Sequence, residues 1–97
     1  MIEITELMAQ IESAMDTELS QYLADLDSLY KELDKLESGI EKEQEFLQSK
    51  IDAGKTVTEL EALEYLSRLR MRREKLVEIE LLEMTIATLE IELVGED

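Results

Sequence analysis

Arg68, Arg70, Arg72, Arg73 and Lys75 place five cations within eight positions, and they are the residues from which chemistry could first be built in this chain. A basic cluster can neutralise phosphate oxygens on nucleic acid or on a small anion. The other candidates are carboxylates. Glu74 and Glu78 stand one helical turn apart, and Asp25 stands three positions before Ser28. Asp25-Leu26-Asp27 has alternating acids but lacks the Gly and the later Glu of a calcium loop. There is no His and no Cys. This removes the commonest general base, the usual transition-metal ligands and any disulfide. A ferritin-like di-iron bundle needs Glu-x-x-His on its helices. No Ser or Thr has a base beside it in a recognisable arrangement, and no Gly-rich phosphate loop is present. The expectation is a protein without catalytic residues, metal ligands, cofactor or small-molecule substrate.

The elements that must carry these residues are long helices. From Met15 to Leu47 the apolar residues alternate at spacings of four and three. Leu19, Leu26, Leu33, Ile40 and Leu47 form one row. Met15, Tyr22, Leu29 and Leu36 form the other, which breaks at Glu43. A 3.5-residue repeat keeps one narrow stripe against a partner helix, so this is a coiled-coil seam. The chain contains no Pro, three Gly and 4% aromatics. Long uninterrupted helices are allowed, and a thick globular core is not.

Asp52-Ala53-Gly54-Lys55-Thr56 is the break. Gly54 is placed to end a helix in the left-handed conformation. Thr58-Glu59-Leu60-Glu61 is a capping box, with Thr58 and Glu61 spaced to satisfy two free N–H groups. The sequence therefore predicts a first helix over 17–51, a turn over 52–57 and a second helix over 58–94, about 55 Å long. So short a connection makes the helices antiparallel neighbours, with position i facing about 110 − i. Residues 1–15 carry their own apolar pattern: Ile4, Leu7, Met8, Ile11 and Met15. Asp16-Thr17 is a possible cap between the two patterns, so residues 1–15 are either a short separate helix or an extension with a phase change. Ile2-Glu3-Ile4-Thr5 is mildly strand-like and too short to outweigh that pattern. Gly39 is expected to be a weak point or a kink, since glycine costs a helix about 1 kcal/mol against alanine. The fold class is all-α: one helical-hairpin domain over 1–97, expected to dimerise into a bundle.

On the second helix, Ala62, Leu66, Leu69 and Leu76 read as an ordinary stripe, after which the register slips to Ile79, Leu82, Ile86, Leu89 and Leu93. A second row, Val77, Leu81, Met84 and Ile91, runs beside it. Two rows need two partners. Ile4, Leu7, Met8 and Ile11 with Val77, Leu81, Met84 and Ile91 are therefore the expected partner-binding residues. Each is worth about 1.5–3 kcal/mol when fully buried. The third helix that covers them is either the chain's own residues 4–15 or one from another molecule.

The facing rule also changes the view of the basic cluster. It lies opposite about 35–42 on the first helix, near Glu32, Asp34, Glu37, Glu41 and Glu43, so its own chain is expected to neutralise it. Glu43 stands in the seam, with Arg73 and Arg70 as its counterparts on the second helix. Glu43 with Arg70 is the expected register ion pair, since a charge in a seam commonly fixes alignment at some cost in stability.

Net charge is −15 with a pI near 4.2. Such a surface disfavours nucleic acid and anionic lipid and suits solubility or a basic partner. No signal peptide is visible, and no apolar run reaches the roughly 18 residues that span a bilayer. A cytoplasmic protein is the expectation, without nucleic-acid or membrane partners.

The stretch Glu45-Phe46-Leu47 … Asp52-Ala53-Gly54-Lys55-Thr56 … Glu64-Tyr65-Leu66-Ser67-Arg68-Leu69 resembles the hairpin region of the stalk proteins of flagellar and type III secretion export, the FliJ/YscO type. The resemblance covers about residues 41–93. It implies export-apparatus or chaperone-like work through coiled-coil contacts. The expected function is an acidic coiled-coil adaptor, assembly factor or secretion-type chaperone acting through helix–helix packing. The alternatives are a structural homodimer with no other ligand, or an acidic nucleic-acid mimic that inhibits a nucleic-acid-binding protein.

Overall fold

A computed structural model describes residues 3–94. The chain forms two helices, α1 (Ile4–Asp52) and α2 (Glu59–Val94), folded back on each other as a hairpin. No strand is present among the described residues. The rod measures 78 × 20 × 18 Å, with a radius of gyration of 22.0 Å. A compact chain of this length would have a radius of about 12.5 Å. The accessible surface is 7749 Å², where a compact protein of this mass exposes about 5,700 Å².

The turn forms where local chemistry asks for it. Gly54 adopts φ 73°, a conformation that favours glycine because a Cβ would meet the carbonyl. The N–H of Lys55 then donates to the Lys50 carbonyl at 2.8 Å and that of Gly54 to the Ile51 carbonyl at 3.0 Å. These two bonds are a Schellman motif, which satisfies carbonyls left free at a helix end. Four residues later the capping box closes reciprocally. The Glu61 N–H donates to Thr58 Oγ1 at 3.2 Å, and the Thr58 N–H donates to Glu61 Oε1 at 3.0 Å.

α1 is one helix of 49 residues. Of the two alternatives at Asp16-Thr17, the continuous helix is the one that forms. Thr17 donates its hydroxyl to the Ser13 carbonyl at 3.0 Å, a back-bond that keeps a Thr inside a helix. Residues 4–16 are therefore an extension of the seam helix. Ile4 and Thr5 are helical, not strand-like. Met1 and Ile2, which belong to the same expected segment, lie outside the described residues.

Cross-helix contacts keep one register: Lys50 with Glu61, Glu43 with Arg68 and Glu32 with Lys75. By that register Val94 ends level with about residue 16. The first three turns of α1 overhang, and residues 4–14 are exposed throughout. These residues do not fold back as a third helix within the chain.

The α1 row from Met15 to Leu47 faces inward as expected, with Leu33 and Ile40 buried. On α2 the inward row is Tyr65, Arg72, Ile79, Ile86 and Leu93 alongside Glu61, Lys75, Leu82 and Leu89. This corrects the expected first stripe. Leu66 and Leu76 are 47% and 45% exposed, Ala62 is exposed, and of the four only Leu69 is half-buried. α2 has apolar residues on several faces. The face that docks is the one in seven-residue phase with Ile79, Ile86 and Leu89, the three buried residues of α2. Near the turn that phase falls on Glu61, Tyr65, Arg68, Arg72 and Lys75.

Candidate functional site

The basic cluster is the first candidate, and its own chain holds part of it. Arg68 Nε lies 2.6 Å from Glu43 Oε2, and Lys75 Nζ lies 2.7 Å from Glu32 Oε2 and 3.5 Å from Glu78. The Glu32 contact raises the Lys75 pKa, since it holds the ammonium form. Arg70, Arg72 and Arg73 have no carboxylate within ion-pair distance among the described residues, and Asp34, Glu37 and Glu41 pair with none of the cluster. Neutralisation is therefore partial.

The register pair is Glu43 with Arg68, not Arg70. Arg70 falls five residues past Tyr65, which turns it to the outer face of α2, where it is exposed. Arg73 is exposed as well, while Arg72 is half-buried. Glu43 Oε2 is enclosed and meets Arg68 off the N–H axis, so the contact is ionic without an aligned hydrogen bond. Gly39 explains how Arg68 fits. A Cβ there would stand 3.1 Å from Arg68 Nη1. Gly39 is thus a slot for the guanidinium inside a continuous helix, and not a break.

Around these pairs the turn end is laced by polar contacts. Lys50 donates to Glu61 at 2.6 Å, and Gln44 donates to the Tyr65 hydroxyl at 2.6 Å. Lys50 also stands 5.6 Å from the centre of the Phe46 ring, within cation–π range. The Lys50 ammonium and the Thr58 donors lower the Glu61 pKa to about 2.

The open end differs. Ile4, Leu7, Met8 and Ile11 on the overhang are all exposed, as are Val77, Leu81, Met84 and Ile91 on α2. The second group recurs at spacings of four, three and seven outside the buried seam of α2, with Leu81 and Met84 bordering α1 along one flank. Between the helices lies a groove of about 430 Å³ lined by Glu18, Tyr22, Leu81, Met84, Thr88 and Glu92, among others. It is continued toward the middle of the rod by Asp25, Leu29, Glu78 and Leu82. Tyr22 donates to Glu18 at 2.9 Å, and Tyr30 donates to Glu83. Each carboxylate raises the pKa of its tyrosine.

The structure leaves all eight expected partner-binding residues exposed, and spreads them from the middle of the rod, at Val77, to the overhang, at Ile4. Periodicity missed the groove, because a groove needs to know which face of α2 docks.

Charge is divided along the same line. Residues 1–30 contain seven acids and no Lys or Arg, and residues 76–97 also contain seven acids and none. Residues 31–75 contain eleven acids and all ten basic residues. Almost the whole net charge thus belongs to the open end. That signal was legible in the sequence once the hairpin joined the two segments.

Comparison with family models, with curated proteins and with solved structures gives no match. None of these comparisons links the chain to export stalk proteins. No helix among the described residues is long and apolar enough to cross a membrane.

Proposed function

We propose that the chain is a non-enzymatic protein-binding module, an adaptor, assembly factor or chaperone, that captures a helix at the open end of its hairpin. One observation carries the reading. The α1 seam runs on without a partner at the overhang, where Ile4, Leu7, Met8 and Ile11 are exposed, and exposed apolar residues of α2 continue that uncovered surface from Ile91 back to the middle of the rod. Burying such side chains against a third helix gains about 1.5–3 kcal/mol each, and an amphipathic helix laid in a groove is a common recognition mode. The hairpin positions the surface, and the polar turn end holds the register. The resemblance to export stalk proteins is in keeping with this role, and a cytoplasmic setting suits so acidic a chain.

A second reading is favoured by the overhang's own spacing. Ile4, Met8, Ile11 and Met15 recur at four, three and four, which reads the same in both directions. Two copies could pair antiparallel there, Met8 against Ile11 at the centre and Ile4 against the half-buried Met15 at the mouth of the hairpin, in a self-complementary two-fold contact. The acidic-mimic alternative gains no comparable support, because the carboxylates of the open end are interleaved with apolar residues.

Site-specific photo-crosslinking tests the main reading. A crosslinker at Ile11, Leu81 or Met84 is expected to join the chain to another polypeptide, while one at Lys35 or Ser49 is not. Absence of open-end crosslinks, in a chain that sediments as a monomer, overturns the proposal.

A further inference from the structure

The middle of the rod contains a pattern that the open end repeats without its central residue. Glu32 on α1 and Glu78 on α2 face each other across the seam, and Lys75 reaches both, at 2.7 and 3.5 Å. Fourteen residues toward the open end on each helix, two heptads on, the same positions hold Glu18 and Glu92. The place of Lys75 is taken by Leu89, which is buried. Glu18 and Glu92 line one groove from opposite helices, and no Lys or Arg among the described residues pairs with either. Two carboxylates that share a groove repel each other, the more so the closer they stand. Glu92 also lies in the last turn of α2, which has no basic residue. A carboxylate there opposes the negative end of the helix dipole.

We propose that the open-end groove receives a basic amphipathic helix from another protein, which supplies the Lys or Arg that Glu18 and Glu92 lack. This rests on the helix-capture reading and names the chemistry of what is captured. The apolar face of that helix lies on Leu81 and Met84. Its cations meet Glu18, Asp25, Glu78 and Glu92 at the groove's rim. A second copy is the poorer occupant, because its open end carries the same fourteen acids and no cation to set against them.

The test titrates the full-length protein into a labelled amphipathic Leu/Lys peptide of about 18 residues, which spans about 27 Å as a helix. Two controls run in parallel: a Leu/Glu peptide with the same apolar face, and a scrambled Leu/Lys peptide with none. Fluorescence anisotropy is expected to show one-to-one binding of the Leu/Lys helix alone, weakening as salt rises from about 50 to about 500 mM. Glu18→Gln with Glu92→Gln is expected to weaken it about tenfold. Leu81→Asp with Met84→Asp is expected to abolish it, although that pair adds negative charge. Asp34→Asn with Glu45→Gln, outside the groove, is expected to leave it unchanged. Circular dichroism confirms that each variant stays helical.

Binding of the scrambled peptide as tightly as the helix, or indifference to Leu81→Asp with Met84→Asp, overturns the proposal in favour of plain charge attraction. Equal binding of the Leu/Glu peptide overturns the demand for a cation and leaves helix capture standing. No binding by a chain that sediments as a dimer assigns the groove to a second copy and overturns it as well.

Discussion

The two ends of this rod solve the same problem with different residues. Near the turn, α2 presents Glu61, Tyr65, Arg68, Arg72 and Lys75 to α1, and alignment comes from Lys50–Glu61, Gln44–Tyr65 and Glu43–Arg68. Toward the open end, Ile79, Ile86 and Leu89 are buried and the seam is apolar. Ion pairs are directional and individually weak, so they set register more than stability. Apolar burial is strong but indifferent to a slip of one heptad. The polar end therefore says where the helices align, and the apolar end holds them there. The same division leaves the open end with apolar area and acids in surplus, while the turn end has its cations close at hand.

Substitutions that set one end against the other sharpen the comparison. Ile86→Ala should have the largest effect, lowering stability by about 2–4 kcal/mol in urea unfolding, because Ile86 lies in the open-end core. A cost under about 1 kcal/mol would mean that the open-end seam is not the main source of stability. Gly54→Ala should cost about 1–2 kcal/mol by the same measurement, since its φ of 73° stays strained even though nothing lies within 4 Å of an added Cβ.

A double-mutant cycle at Glu43 and Arg68 should show coupling of about 0.5–1 kcal/mol, and the same cycle at Glu43 and Arg70 none. Coupling to Arg70 instead would move the register by two residues. Glu61→Gln should lower stability in a pH-dependent way. The folded-state pKa of Glu61 is lowered from 4.5 to about 2. Its ionised form therefore contributes stability fully above about pH 4.5, and that contribution is lost as pH falls toward 2. The wild-type advantage in melting temperature should be present at neutral pH and gone near pH 2. An advantage that persists there would assign it to packing and not to charge.

Deleting residues 3–14 should have the smallest effect, within about 0.5 kcal/mol. Among the described residues, the overhang extends past the end of α2 and is exposed throughout. A clear loss of stability would show that the overhang is held by this chain or by a second copy.

Much of this architecture was legible from the sequence, because the signals that specify it act within one helical turn. Gly54 stops α1 and Thr58 with Glu61 starts α2 through bonds to their own neighbours. The seam of α1 follows from one apolar stripe, and a short turn fixes antiparallel pairing about the midpoint. Other features could not be read locally. Asp16-Thr17 has the composition of a cap, but the Thr17 hydroxyl had an equally good acceptor one turn back. α2 offers apolar residues on several faces, and only contact with α1 selects the one through Ile79 and Ile86. That choice exposes Leu66 and Leu76, turns Arg70 outward, brings Arg68 over Gly39 and puts Glu18 and Glu92 on one groove. A helix's own sequence determines that it is a helix and where it ends, since those energies are local. Which face it buries is a property of two helices together, and only the tertiary structure decides it.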